Sequence, residues 1–312
     1  MSARPEASGL GILRGLYVKI QDLTPIWWLA IRPKTLPAAG SGVVMGAALA
    51  LKAGLFSWGP CLAALGVALL LQIGSNLAND VYDNERGTDT ADRKGPTRVT
   101  QAGLLSSAAV KRGMVTVLAA AFLLGVYLTF TQGWVVMAIG LAAIAAAVAY
   151  TGGPYPLGYH GLGELFVFVF FGPAAVAGTY FVITGTVSSL AWIMSVPVGL
   201  IITALLIVNN LRDIDEDRSA GKRTIAVRIG IGATRAEYLG CLILAYVILV
   251  GLVMLGSLPV LTLATLLSLP LAAKAARVVV TEDGRALNPA LSLTGQTSLA
   301  FSLLFAAGLL LK

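Results

Sequence analysis

Polar residues interrupt this chain rarely, and the interruptions are spaced at membrane-sized intervals. Apolar runs cover about 35–52, 60–82, 113–131, 134–151, 162–183, 190–211, 235–255, 258–276 and 291–311. A helix rises about 1.5 Å per residue, so roughly 20 apolar residues cross a hydrocarbon core of about 30 Å. The pattern therefore predicts an all-α fold: a polytopic bundle of nine transmembrane helices around a polar cavity. Residues 1–31 read as a polar, partly amphipathic lead-in without the compact apolar core and cleavage site of a signal peptide. Residues 32–312 read as one transmembrane domain. Trp27 and Trp28 stand where an interfacial anchor belongs, and Pro33 suits a first helical turn, where a missing N–H costs nothing. Two polar stretches, 83–112 and 212–234, are predicted loops. A Gly/Pro-rich turn runs from Thr151 to Gly161.

Composition sharpens the membrane reading. Charged residues make up 12% of the chain and mean hydropathy is +0.84, against roughly 25% charged residues in soluble domains. The net charge of +7 is no nucleic-acid footprint, because Lys and Arg gather at helix ends and loops. With the N-terminus inside, only Lys52 and Lys312 fall on the outer side. That bias predicts a cytoplasmic N-terminus in the inner (cytoplasmic) membrane, with both polar loops on the cytoplasmic face. Cys61 and Cys241 lie inside apolar runs and read as small core residues.

The acidic residues are the exception to this economy. Nine of the fifteen lie in two stretches, 80–92 and 213–217. Asn76, Asp80 and Asp83 stand at i, i+4 and i+7, on one face of a helix that ends an apolar run. Asn209, Asp213 and Asp217 repeat the pattern at i, i+4 and i+8. Ionised carboxylates at a membrane boundary are costly and tend to be functional. Two such faces look like halves of one cation site, and four helices separate them, so they can meet on one side of the bundle. Oxygen donors without His or Cys select a hard cation, Mg²⁺ before Zn²⁺. Arg93, Lys94, Arg98, Lys222 and Arg223 follow the clusters closely, and Arg and Lys are the natural partners of phosphate.

Carboxylates, metal, phosphate and bases at the mouth of a membrane bundle fit a lipid diphosphate. Metal and bases absorb the charge that develops as diphosphate leaves. The cation left on an allylic carbon needs shielding from water, and Tyr150, Tyr155 and Tyr159 are candidates to line that cavity. His160, the one histidine, reads as part of the turn rather than as a base. A divalent-cation transporter is a second reading, although transport sites usually lie near the midplane on broken helices. A phosphoalcohol transferase is a third, and its compact Asp/Gly/Ala-Arg signature is absent.

The two motifs, Asn76-x-x-x-Asp80-x-x-Asp83 and Asn209-x-x-x-Asp213-x-x-x-Asp217, resemble the aspartate-rich motifs of the UbiA superfamily of intramembrane prenyltransferases. Arg32-Pro33-Lys34-Thr35-Leu36-Pro37, Ser75 to Asp80, Asp92 to Pro96, Gly161-Leu162-Gly163-Glu164 with Val169 to Gly172, and Asn209 to Asp215 resemble its 1,4-dihydroxy-2-naphthoate polyprenyltransferase branch. The resemblance runs from about Arg32 to the C-terminus. It implies Mg²⁺ held by Asn76, Asp80, Asp83, Asn209, Asp213 and Asp217; Tyr150 is the candidate beside the reacting centre on its ring face alone. Asn79, Arg93, Lys94, Arg98, Lys222 and Arg223 are then the expected substrate contacts. The implied reaction joins a polyprenyl chain from polyprenyl diphosphate to 1,4-dihydroxy-2-naphthoate, with loss of CO₂ and diphosphate. The motifs alone leave other aromatic acceptors open, such as 4-hydroxybenzoate or homogentisate.

Overall fold

The computed structural model describes residues 25–88 and 93–311, and it is all-helical over them. The helices are α1 (Pro25–Lys52), α2 (Trp58–Glu85), α3 (Ser107–Gln132), α4 (Trp134–Ala149), α5 (Gly163–Thr184), α6 (Ser189–Arg212), α7 (Ile225–Met254), α8 (Val260–Thr281) and α9 (Gly284–Leu310). Eight of these are long and apolar enough to cross a membrane. The fourth, α4, is apolar but has only 16 residues, about 24 Å of helix. A short helix, Ile214–Ser219, follows α6. The expected nine spans are thus eight long helices and one short one. Of the predicted lead-in, residues 1–24 lie outside the described residues, as do Asp89 and Asp92.

Helix ends follow local capping more closely than hydropathy. Ser106 and Thr224 accept hydrogen bonds from the backbone N–H groups of Ala109 and Val227 and so satisfy first-turn donors. Helix α3 therefore begins at Ser107 and α7 at Ile225, well inside the stretches expected to be loop. Helix α7 then kinks at Gly230, whose φ of 81° is open to glycine. Helix α1 also starts early. It breaks at Arg32, which holds a left-handed conformation (φ 56°, ψ 69°), and resumes through a 3₁₀ turn at Pro33–Thr35. Trp27, in its first segment, packs against Gly113 of α3, leaving no room for a Cβ there. Trp28 faces outward, 62% exposed, as an interfacial ring does.

Packing places α6 at the centre. It lies against α7, α9, α5 and α1, while α2 runs along α3. Within its most apolar stretch 72% of α6 is buried, against 22% of α3, which turns most of its surface outward. Membrane helices approach closely where side chains are small. A Cβ on Gly42 would sit 2.6 Å from Ala175 Cβ, and one on Gly172 would sit 2.8 Å from Ser195 O. These contacts seat α1 on α5 and α5 on α6. Buried hydroxyl pairs add polar ties, with Ser298 donating to Ser41 at 2.7 Å and Tyr238 and Thr294 at 2.9 Å. Helix α5 carries a π-turn at Phe170–Ala174 around Pro173, where the proline cannot donate.

Candidate active site at the joined ends of α2 and α6

The ends of α2 and α6 meet at one end of the bundle around a polar cavity. From α2 it takes Asn79 and Asp83, from α6 Asn209 and Asn210, and beyond α6 Asp213, Glu216, Asp217 and Lys222. Arg93, Arg98, Thr88, Tyr150, Thr151 and Tyr159 also line it. The geometric expectation that the tips of the second and sixth spans share a site is met.

The first acidic face is rotated relative to its sequence reading. Asn79 and Asp83, four residues apart, face the cavity, and they match Asn209 on α6 and Asp213 just past its end. Asn76 and Asp80 do not line it. Asn76 Nδ2 donates to Ile31 O at 2.9 Å and to Thr35 Oγ1 at 3.0 Å, serving a carbonyl exposed by the break in α1. Asp80 is 1% exposed and accepts from the backbone N–H groups of Val99 and Thr100, both at 2.9 Å. It holds the polar loop onto α2. Both residues are one helical step from the cavity face, a distinction that spacing alone does not make.

Asp83 is the most heavily engaged acid. It accepts from Arg98 at 2.9 Å and Tyr159 at 2.8 Å, and Lys222 Nζ stands 3.4 Å away. The Arg98–Asp83 pair is almost wholly buried. Lys222 is also 3.6 Å from Asp217, so one ammonium bridges carboxylates from the two halves. Asp213 is held by the neighbouring Arg212, whose Nε and Nη2 donate to its two oxygens at 2.7 and 2.6 Å. The same guanidinium donates to Asn209 Oδ1 at 2.8 Å and Asn288 Oδ1 at 3.0 Å. Arg212 is fully buried and was not anticipated from sequence, where it reads as a helix-end charge.

The remaining predicted contacts divide. Arg93, Arg98 and Lys222 line the cavity. Lys94 instead pairs with Asp215 at 3.2 Å, and its backbone N–H donates to Glu216 at 2.9 Å, clasping the loop onto the short helix. Arg223 is exposed, and its backbone N–H donates to Tyr159 O. Tyr150 and Tyr159 belong to the cavity, but Tyr155 lies outside it, stacked on His160 with ring centroids 3.6 Å apart. His160 Nδ1 is tied to Pro156 O at 2.8 Å, in keeping with a turn role. Thr88, Thr151 and Asn210 are cavity residues that the sequence did not single out as contacts.

The donor set fits a hard divalent cation. Burial pushes the Asp217 carboxyl up to about 7; Lys222 pulls it down, while Asp213, Asp83 and Glu216 raise it further. A cation would offset both the lost hydration of this buried carboxyl and its repulsion by Asp213, Asp83 and Glu216. The Lys222 ammonium already occupies such a position between Asp83 and Asp217. Among the described residues no three acidic, His or Cys side chains converge as a closed metal cage. An ion here would take one or two of the cavity carboxylates and complete its shell from water and phosphate. Burial, and then Asp83, push the Tyr159 phenol up as well, keeping it a hydrogen-bond donor.

The model of the UbiA prenyltransferase family matches residues 40–310. The chain belongs to this family. As a UbiA-family member it has curated relatives along almost its whole length. The 1,4-dihydroxy-2-naphthoate octaprenyltransferase of Escherichia coli is 39% identical, covering 93% of this chain and 96% of the relative. That of Mycobacterium tuberculosis is 40% identical, covering 91% and 96%. That of Haemophilus influenzae is 35% identical, covering 94% and 98%. Solved UbiA structures share the fold. The apo UbiA homolog of Aeropyrum pernix superposes with a TM-score of 0.67 at 20% identity, covering 89% of this chain and 96% of that one. An Archaeoglobus fulgidus homolog bound to GPP and Mg²⁺ gives 0.62 at 14% identity, covering 92% and 100%.

Proposed function

We propose that this membrane protein is a Mg²⁺-dependent prenyltransferase. It moves a polyprenyl group from polyprenyl diphosphate to 1,4-dihydroxy-2-naphthoate, releasing CO₂ and diphosphate and giving demethylmenaquinol. The observation that carries the reading is the cavity where Asp83, Asp213 and Asp217 meet Arg93, Arg98 and Lys222 at the end of an apolar bundle. Relatives named for this reaction at 32–40% identity support the acceptor.

The residues that would hold Mg²⁺ are drawn from Asp83, Asp213, Asp217 and Asn209, one or two carboxylates at a time, and the bound ion neutralises the charge building on the departing diphosphate. Arg93, Arg98 and Lys222 bind its phosphoryl oxygens. The buried cavity keeps water from the allylic carbon as its C–O bond breaks, and the ring face of Tyr150 shields the positive charge. The ring carbon bearing the carboxylate forms the new C–C bond. The electron pair of the breaking C–CO₂ bond restores the aromatic ring, so the chain needs no base to remove a ring proton. The prenyl tail runs between helices into the bilayer. The cavity mouth faces the cytoplasm, a side that the Lys/Arg asymmetry supports.

The test is purified protein in lipid with Mg²⁺, polyprenyl diphosphate and a mixture of 1,4-dihydroxy-2-naphthoate, 4-hydroxybenzoate and homogentisate. Mass spectrometry is expected to find only the prenylated, decarboxylated naphthoquinol, and chelation abolishes it. Product from another acceptor alone would replace the acceptor assignment. Divalent-cation flux without diphosphate release would replace the whole reading by transport.

A further inference from the structure

Lys274 and Arg277 stand at i and i+3 on α8, on one face of a membrane span. Charged side chains within spans are costly and usually turn inward to a partner or a polar cavity. These two turn outward. Both are exposed, and among the described residues neither side chain makes a hydrogen bond or an ion pair. Lys274 lies about 10 Å of helix before Thr281, the last residue of α8. The Thr281 end is the active-site end of the bundle, since Gly284, just beyond it, packs against Lys94. Toward the middle of the bilayer the same face is apolar: Pro270 is exposed and Leu267 is 72% exposed. Over about three helical turns the stripe passes from apolar to doubly cationic. A phospholipid has the same order, acyl chain and then headgroup.

The neighbouring cations are already committed. Arg235 of α7 donates to Val279 O and Glu282 O, both at 2.8 Å, and to Asp283 Oδ1 at 3.1 Å. It closes the carbonyl end of α8 and neutralises Asp283. Arg228 donates to Arg223 O at 3.0 Å and to His160 O at 2.7 Å. Glu282, past the helix end, accepts from Thr281 Oγ1 at 3.3 Å. Lys274 and Arg277 are left facing lipid, and their methylene stems let the charges reach the headgroup layer. Arg forks onto phosphate, and Lys adds a point charge. Two cations favour a headgroup of net negative charge over a zwitterion, whose own ammonium would meet them. We infer that this face of α8 binds one anionic phospholipid, with its phosphate on Lys274 and Arg277 and an acyl chain along Pro270 and Leu267. The site is separate from the cavity between α2 and α6 and does not depend on the function proposed above.

The experiment is native mass spectrometry of the protein released from micelles carrying equal amounts of phosphatidylglycerol and phosphatidylcholine. Wild type is expected to retain one phosphatidylglycerol about tenfold over phosphatidylcholine, the scale of two cations beside an anionic headgroup. Lys274→Gln/Arg277→Gln should bring the two lipids within about twofold of each other. Lys111→Gln/Arg112→Gln removes the same charge from the start of α3 and should keep the preference. Lys274→Gln and Arg277→Gln singly should each lose about threefold, and they stand in should the double variant not fold. Phosphatidylglycerol should also raise the wild-type thermal midpoint more than phosphatidylcholine does. In about 1 M salt, where the screening length is about 3 Å, that difference should vanish. Equal retention of both lipids by wild type, or an undiminished preference without the α8 cations, overturns the inference. Loss of the preference in the α3 variant as well overturns it too, because general surface charge would then suffice.

Discussion

At the residue scale, neighbouring aspartates on one helix have different work. Asp80 spends both oxygens on backbone N–H groups of the loop, whereas Asp83 faces three cationic or hydroxyl donors in the cavity. Asp80→Asn turns an amide N–H toward a backbone N–H and should destabilise the protein by about 2 kcal/mol, seen as a lower thermal midpoint in detergent. Asp83→Asn should keep most of that midpoint and lose at least about 100-fold in kcat, the scale of one lost electrostatic contact to developing charge. Equal midpoints with equal activity losses would erase the distinction. Asp217 gives a pH test. Its folded-state value of about 7 lies above the ordinary 3.8 of an aspartate, so its ionisation weighs against the metal-free fold. That cost is absent at pH 3, grows as pH rises between 4 and 7, and is constant above. Metal-free Asp217→Asn should therefore gain thermal midpoint over wild type across that window. Mg²⁺ at pH 8 should stabilise wild type more than the variant.

At the element scale, the site depends on a loop and on two tight helix crossings. Residues 93–100 are pinned by Arg98 to Asp83, by Asp80 to Val99 and Thr100, by Lys94 to Asp215, and by Asn288 to the Lys94 carbonyl. The loop thus couples both halves of the site to the start of α9. Arg98→Ala leaves Asp83 partly unpaired in a buried setting, at a cost of roughly 3–5 kcal/mol, and protease sensitivity of the loop is the readout. Gly46 shows the same dependence in the membrane. A Cβ there would lie 2.8 Å from Thr179 Cβ and 3.1 Å from Tyr180 N. Gly46→Val should push α1 off α5 and lower the thermal midpoint, while Gly125→Val, facing open space, should not.

At the scale of the whole molecule, the polar loops and both aspartate motifs occupy one end of the bundle. Cysteines placed at Glu216 and at Gly54 should label from opposite sides of sealed vesicles, with Glu216 reached from the cytoplasmic side. Labelling of the Glu216 position from the outer side would invert the assigned topology, and labelling of both from one side would overturn the placement of the two positions at opposite ends.

Much of this was legible in the sequence, and the reason is the solvent. A membrane demands long apolar helices and penalises each charge, so the spans, their asymmetric Lys/Arg and the two exceptional acidic stretches stand out without coordinates. The motif types also point to oxygen-only cation and phosphate chemistry. What the tertiary structure decided is rotation and pairing. One step around α2 separates Asp83 in the cavity from Asp80 against the loop, and a helical pattern that admits both faces cannot choose between them. Arg212, Asn210 and Glu164 lie in family-like stretches, but their partners are set only once α5, α6 and α9 are brought together. Helix ends moved for a similar reason: Ser106, Thr224 and the break at Arg32 act through local hydrogen bonds that hydropathy does not register.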